Sequence, residues 1–262
     1  MIRSALINVM VQAARKAART LIRDFGEVEN LQVSLKGPGN FVSNADHRAE
    51  EILHTELSKA RPGFGFLMEE RGRIEGKDQS HQWVVDPLDG TTNFLHSIPL
   101  FAISIALVKD GVAVAGVVFN PISDELYVAE RGRGAFLNDR RLRVAARKEL
   151  SDCVVCCGIP HRGRGDPARF RKELAAVQEH VAGVRRTGAA ALDLVWVAAG
   201  RFDAFWERGL SPWDLAAGLV IVREAGGIIT DLEGGDAVLE KGSVLAGNEL
   251  VHRALLGVLT AA

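Results

Sequence analysis

The chain has 262 residues, 47% of them apolar and 25% charged, and its 32 Lys and Arg against 33 Asp and Glu leave a net charge of −1. That composition suits a globular protein with a sizeable core, in one large domain or two closely packed halves. The charge balance argues against direct nucleic-acid binding, which brings a basic excess, and no stretch reaches the roughly 20 apolar residues of a membrane span.

Leu6, Met10, Ala13, Ala17 and Leu21 recur at helical spacing and predict an amphipathic first helix. Asn8 and Gln12 interrupt this segment, and Arg15, Lys16 and Arg19 follow it, which speaks against a secretory leader. Lys36-Gly37-Pro38-Gly39-Asn40 is a run of turn formers, and a second helix is expected from near Asn44 to about Ala60, before Pro62-Gly63. Phe64 to Met68 reads as a short strand with Glu69-Glu70 at its end. Trp83-Val84-Val85 reads as another, which the Asp86-Pro87 step is expected to terminate because proline cannot donate to a ladder. Further strands are predicted at Phe101 to Val108, Val112 to Phe119 and Glu125 to Ala129, with tight turns at Asp110-Gly111 and Asn120-Pro121.

From about residue 150 strands and helices alternate. Strands are expected at Cys153 to Cys157, Phe202 to Trp206, Gly227 to Thr230 and Ser243 to Ala246. Helices are expected at Ala168 to Val181, Ala189 to Ala199, Trp213 to Ala225 and from Glu249. The pattern implies a layered α+β fold in two halves that share one core, residues 1–148 and 149–262. Cys153, Cys156 and Cys157 fall within five residues; an odd cluster is no disulfide framework and points to a reducing cytoplasm. Their flanks (Val154, Val155, Gly158, Ile159) favour small core residues over a zinc or redox pair. The stretch from His161 to Lys172, with Arg162, Arg164, Arg169 and Arg171, reads as a solvated loop and helix start, and the four tryptophans read as core anchors.

Chemistry concentrates in Asp86-Pro87-Leu88-Asp89-Gly90-Thr91. Two carboxylates three residues apart stand where a strand stops; Pro87 stiffens the turn, and Gly90 lets backbone approach a ligand. Hard divalent cations take such oxygens, and the Leu88 carbonyl lies between them. Thr91-Thr92-Asn93 resembles a short helix start, whose free N–H groups favour phosphate. Alone, the segment is more simply an Asx-type turn. Glu69-Glu70 and Ser211-Pro212-Trp213-Asp214 add acids at other element ends, where loops can converge, although Asp214 in a first helical turn also complements the helix dipole.

The segment from Trp83 to Phe94 (WVVDPLDGTTNF) resembles the first signature of the inositol monophosphatase family. Pro212-Trp213-Asp214-Leu215-Ala216-Ala217-Gly218 resembles the second, Met68-Glu69-Glu70 the acidic pair, and Asn44-Ala45-Asp46 the family aspartate at the head of a helix. These matches occur in family order over nearly the whole chain. The resemblance implies an αβαβα sandwich of the sugar-phosphatase type with two or three Mg²⁺ per site. By the same likeness Glu69, Asp86 and the Leu88 carbonyl hold one ion, and Asp86, Asp89 and Asp214 a second. Glu69 shares a third through water, with Asp46 and Glu70 in an outer role. Thr91 and Glu69 activate the attacking water, the Gly90 and Thr91 amides hold phosphate, and Glu207 bonds a polyol hydroxyl. Gly188 and Ala190 approach the substrate ring. Asn40 stands where relatives often carry Asp, and Lys36 is a candidate lid residue.

The reaction implied is in-line hydrolysis of a phosphomonoester by metal-activated water, without a covalent intermediate, since none of the seven histidines lies in these motifs. The resemblance puts myo-inositol 1-phosphate first among substrates. Fructose 1,6-bisphosphate, histidinol phosphate and adenosine 3′,5′-bisphosphate are the alternatives of related branches. It also implies lithium sensitivity and a homodimer. Some bacterial members associate with transcription machinery, for which Arg162 to Arg171 and Arg185-Arg186 are the candidate surfaces.

Overall fold

The computed structural model describes residues 3–27, 33–37, 40–161 and 165–262, with side chains described outside 33–37 and 40–43. Helix α1 (Ala5–Phe25) is capped by Ser4, whose hydroxyl accepts the Ile7 N–H at 3.2 Å. Its helically spaced apolar residues, Ile7, Met10, Ala14, Ala17 and Leu21, are buried together with Ala45, Ala49, Leu53 and Leu57 of α2 (Asn44–Ala60). Strands β1 (Val33–Gly37) and β2 (Asn40–Ser43) form a separate hairpin. Both helices cover one face of an eight-stranded sheet. Its strands are β3 (Phe64–Met68), β4 (Gly72–Ile74), β5 (Asp78–Asp89), β6 (Ala102–Lys109), β7 (Val112–Asn120), β8 (Glu125–Glu130), β9 (Gly134–Leu137) and β10 (Arg140–Arg141). The order is β10-β9-β8-β7-β6-β5-β3-β4, antiparallel except between β3 and β5. The short helix α3 (Thr91–Leu95) follows β5.

The C-terminal half builds a five-stranded sheet in the order β12-β11-β13-β15-β14, from β11 (Val154–Cys157), β12 (Gly183–Arg185), β13 (Ala204–Arg208), β14 (Ile228–Thr230) and β15 (Ser243–Gly247). Helices α5 (Ala190–Ala198) and α6 (Pro212–Glu224) lie between the two sheets, buried nearly all round as their continuous apolar sequences require. Helices α4 (Pro167–Gln178) and α8 (Glu249–Ala261) close the outer face, and a short α7 (Val238–Lys241) precedes β15. The layers are therefore αβαβα, as the resemblance implied. Each large apolar side chain fully buried in them contributes about 1.5–3 kcal/mol. Two glycines set the spacing of the middle layer. A Cβ on Gly116 would stand 2.5 Å from the Ala217 carbonyl oxygen, and one on Gly218 would stand 2.5 Å from Leu194 Cδ1.

Strand β5 departs from expectation: it does not end at Asp86-Pro87. Asp86 pairs with Ser104 and Asp89 with Ala102, so three steps on β5 oppose two on β6. The extra residue makes a bulge, which gives Pro87 a place where no ladder donor is needed. Strands β4, β9, β10 and β12 are two to four residues long and lacked a readable alternation. Cys153, Cys156 and Cys157 are buried free thiols on or beside β11, as expected, and burial pushes Cys153 up to about 11 and Cys157 to about 12. Trp83 and Trp206 anchor cores, whereas Trp196 and Trp213 pack at their margin. Arg162, Arg164 and the side chains of Lys36 and Asn40 lie outside the described residues.

Candidate active site

The β5 bulge presents its acids to one cavity. Asp86 is 2% exposed and its Oδ1 accepts the Leu88 N–H at 2.9 Å; Asp89 is 9% exposed and its Oδ2 accepts the Ala191 N–H at 2.8 Å, from the first turn of α5. Gly90 then takes φ 92°, and a Cβ there would lie 2.9 Å from the Leu100 carbonyl oxygen, so the turn needs glycine on both counts. Thr91 opens α3, with its hydroxyl 3.2 Å from Asp46 Oδ1 and 3.1 Å from the Leu88 carbonyl oxygen; its single proton can be donated to either.

Across the cavity, Asp214 sits in the first turn of α6, where its Oδ2 accepts the Ser211 N–H at 2.7 Å and closes the helix start. Asp86, Asp89 and Asp214 each offer an oxygen within 4.8 Å of the others. Glu69 follows β3 at the cavity wall. The next residue, Glu70, turns away from the cavity lining, and its N–H donates to Glu50 Oε2 at 2.8 Å. Burial, followed by the charges of Glu69, Asp89 and Asp214, pushes the Asp86 carboxyl well above its ordinary range. Asp89 is raised by burial and then by Asp214, against the pull of the Ala191 N–H. The neighbours that raise both are carboxylates, so the cluster is under like-charge strain that a divalent cation would relieve. Carboxylate oxygens with a carbonyl between them fit Mg²⁺.

The cavity has a volume of about 150 Å³. Glu69, Asp86, Leu88, Asp89, Gly90, Thr91, Gly188, Ala190, Glu207 and Asp214 all line it, so the residues singled out as ligands or substrate contacts converge there. Asp46 supports Thr91 from behind. Sequence reading missed several participants. Gly158, just after β11, admits Glu207: a Cβ there would fall 1.8 Å from the Glu207 carboxyl carbon. Buried Glu50 holds the Glu70 amide, and its Oε1 lies 3.4 Å from Arg71 Nε. Buried Asp193 also lines the cavity. His161 and the exposed Arg186, read as surface groups, also line the cavity. Weak signals existed, namely an acid four residues after Asp46 and an acid inside the apolar run of α5.

A sequence profile of the inositol monophosphatase family matches residues 3–262. An inositol-1-monophosphatase of Mesorhizobium japonicum is 66% identical over 256 residues, covering 98% of this chain and 96% of that protein. The Nus factor SuhB of Escherichia coli K12 is 42% identical over 251 residues, covering 96% and 94%. The crystal structure of extragenic suppressor protein suhB from Bartonella henselae superposes with a TM-score of 0.96 at 59% identity, covering 98% of each chain. With its signatures gathered around one acidic cavity and its whole length matched, this chain belongs to the inositol monophosphatase family of phosphoric monoester hydrolases.

Proposed function

We propose that the cavity hydrolyses a small polyol phosphate, myo-inositol 1-phosphate first, by in-line attack of water without a covalent intermediate. The observation that carries this is the meeting of Asp86, Asp89 and Asp214 oxygens within 4.8 Å, beside the Gly90–Thr91 turn and opposite Glu207. The M. japonicum relative's name supports the substrate choice. Glu69, Asp86 and the Leu88 carbonyl would hold one Mg²⁺, Asp86, Asp89 and Asp214 a second, and Glu69 would share a third through water. When bound, the ions neutralise phosphate charge and acidify the attacking water.

The chain supplies the remaining functions. The Gly90 and Thr91 amides, at the start of α3, bind phosphate oxygens. With the Thr91 proton directed to Asp46, the Thr91 oxygen keeps a lone pair to orient the incoming water, and Glu69 accepts its proton. Glu207, fixed against Gly158, accepts from a polyol hydroxyl and aligns the leaving group, while Gly188 and Ala190 bound the ring. A cytoplasmic homodimer is the setting we propose; no helix among the described residues is long and apolar enough to cross a membrane.

A panel of phosphomonoesters assayed with Mg²⁺, with EDTA and with added lithium tests this reading. Fastest Mg²⁺-dependent turnover on myo-inositol 1-phosphate, abolished by EDTA and inhibited by lithium, is expected. Full activity in EDTA would overturn the metal assignment, and preference for a bisphosphate or histidinol phosphate would reassign the substrate.

The SuhB relative favours a second reading, association with transcription machinery. Arg171 and Arg185 are exposed, whereas Arg169 is held by Glu173 at 3.2 Å. Charge reversal at Arg171 and Arg185 should abolish co-purification with RNA polymerase while Asp89→Asn leaves it intact; capture unaffected by the reversals would remove these residues from the contact.

A further inference from the structure

Asp193 is 1% exposed inside α5, among Ala191, Leu192, Leu194 and Val195, where an acid is costly to bury. Its presence there calls for a role. An acid in a first helical turn often caps free amides, but at the start of α5 the Ala191 amide is taken by Asp89 and the N-cap residue Ala189 makes no side-chain cap. Asp193 Oδ1 instead accepts the Thr187 hydroxyl at 2.6 Å and lies 3.1 Å from Cys156 Sγ. Thr187 is held from three sides. Its Oγ1 also accepts the Ala189 N–H at 3.3 Å, and its carbonyl accepts from Asn93 Nδ2 at 2.9 Å. Asn93 lies in α3, two residues after Thr91, and its Nδ2 also donates to the Leu100 carbonyl at 2.7 Å.

These bonds close a ring around one wall of the cavity. Asp89 bonds the Ala191 amide of α5, Asp193 on the same helix bonds Thr187, and Thr187 bonds Asn93. Asn93 returns through the chain to Asp89. Within the ring lie Gly90, whose Cβ position is 3.2 Å from Ala189 Cβ, and the turn at residues 188–190, of which Gly188 and Ala190 line the cavity. We propose that Asp193 and Thr187 are positioning residues that lock residues 188–190 against the Gly90 turn and thereby aim the Ala191 amide at the Asp89 carboxylate. This rests on the reading of Asp89 as a metal ligand. Burial raises the Asp193 carboxyl to about 7, and the Thr187 and Cys156 hydrogen bonds counter that shift.

Thr187→Val removes the hydroxyl at nearly constant shape, Thr187→Ser keeps it, and Asp193→Asn keeps an acceptor. We expect Thr187→Val to raise both KM for the phosphomonoester and the Mg²⁺ concentration for half-maximal activation by roughly tenfold. Thr187→Ser and Asp193→Asn should stay within about threefold of wild type. Leu255→Ala, in the outer core, serves as the stability control: it should lower Tm comparably with neither constant changed. A Thr187→Val variant that loses Tm but keeps both constants would reduce the ring to a structural feature, and an Asp193→Asn variant as impaired as Thr187→Val would overturn the bonding argument. Mg²⁺ titration by calorimetry separates the two readings. If wild type binds Mg²⁺ without hydrolysing the panel, the proposed function fails while weaker binding by Thr187→Val still supports the ring; if wild type binds no Mg²⁺, both fail.

Discussion

The two halves both bring acids to the cavity, but they hold them in different ways. The N-terminal half brings Asp86 and Asp89 on a bulged strand end, nearly fully buried and raised by one another's neighbours. The C-terminal half brings helix starts: α5 offers the Ala191 amide to Asp89, and α6 carries a half-buried Asp214 that closes its own first turn. The strand acids carry charge that folding alone does not relieve; the C-terminal half adds Asp214, which raises both of them, and counters part of this at Asp89 with an amide from a helix start. Cation affinity should therefore depend on the strand acids together with Asp214, and substrate selection on β13.

The sharpest way to break that contrast is Asp89→Asn. On the reading above it should lower kcat/KM by about 10³-fold or more, equivalent to roughly 4 kcal/mol of transition-state stabilisation. The same variant makes a thermal prediction. Because burial and Asp214 raise the folded-state Asp89, the metal-free native protein holds its proton above the pH at which the unfolded chain releases it. Native stability contributed by this group is thus lost as pH rises through and beyond the ordinary carboxylate range. In EDTA, Tm of Asp89→Asn minus that of wild type should grow between about pH 4 and pH 7; a difference that shrinks over that range would refute the charge-strain account.

A smaller effect is expected on the other side. Gly158→Ala forces the Glu207 carboxylate out of its place. KM for the polyol phosphate should rise roughly 10–100-fold, while hydrolysis of p-nitrophenyl phosphate, which offers no polyol hydroxyl, changes about threefold or less. Equal losses on both substrates would show that Glu207 does not select. Smallest is Glu50→Ala, which leaves the Glu70 amide without its acceptor. It should cost about 1–3 kcal/mol in denaturant unfolding and raise the Mg²⁺ requirement only a few-fold. An unchanged unfolding free energy would mean that water replaces the carboxylate.

How far the sequence led follows from which interactions are local. Periodicity in α1 and the continuous apolar runs of α5 and α6 announced those helices, because burial on a face or all round leaves a periodic or unbroken pattern. Asp86, Asp89 and Asp214 were visible because each stands within two residues of a proline or glycine. The course of β5 beyond Pro87 was not, since a bulge depends on the register of β6. Gly158 and Glu207 are distant in sequence, and only the parallel pairing of β11 with β13 brings them together. Asp193 was not singled out, because its partners Thr187 and Asn93 lie outside its helix.

Gly116 carries a consequence of another kind. The backbone of α6 at Ala217 rests directly on β7 at this residue, so the helix that bears Asp214 belongs structurally to the first sheet as much as to the second. A side chain at residue 116 could be met only by a shift of α6 itself, because any residue at 217 presents the same backbone. A chimera that joined residues 1–148 of this chain to the remainder of a distant relative would inherit a mismatched seat for α6.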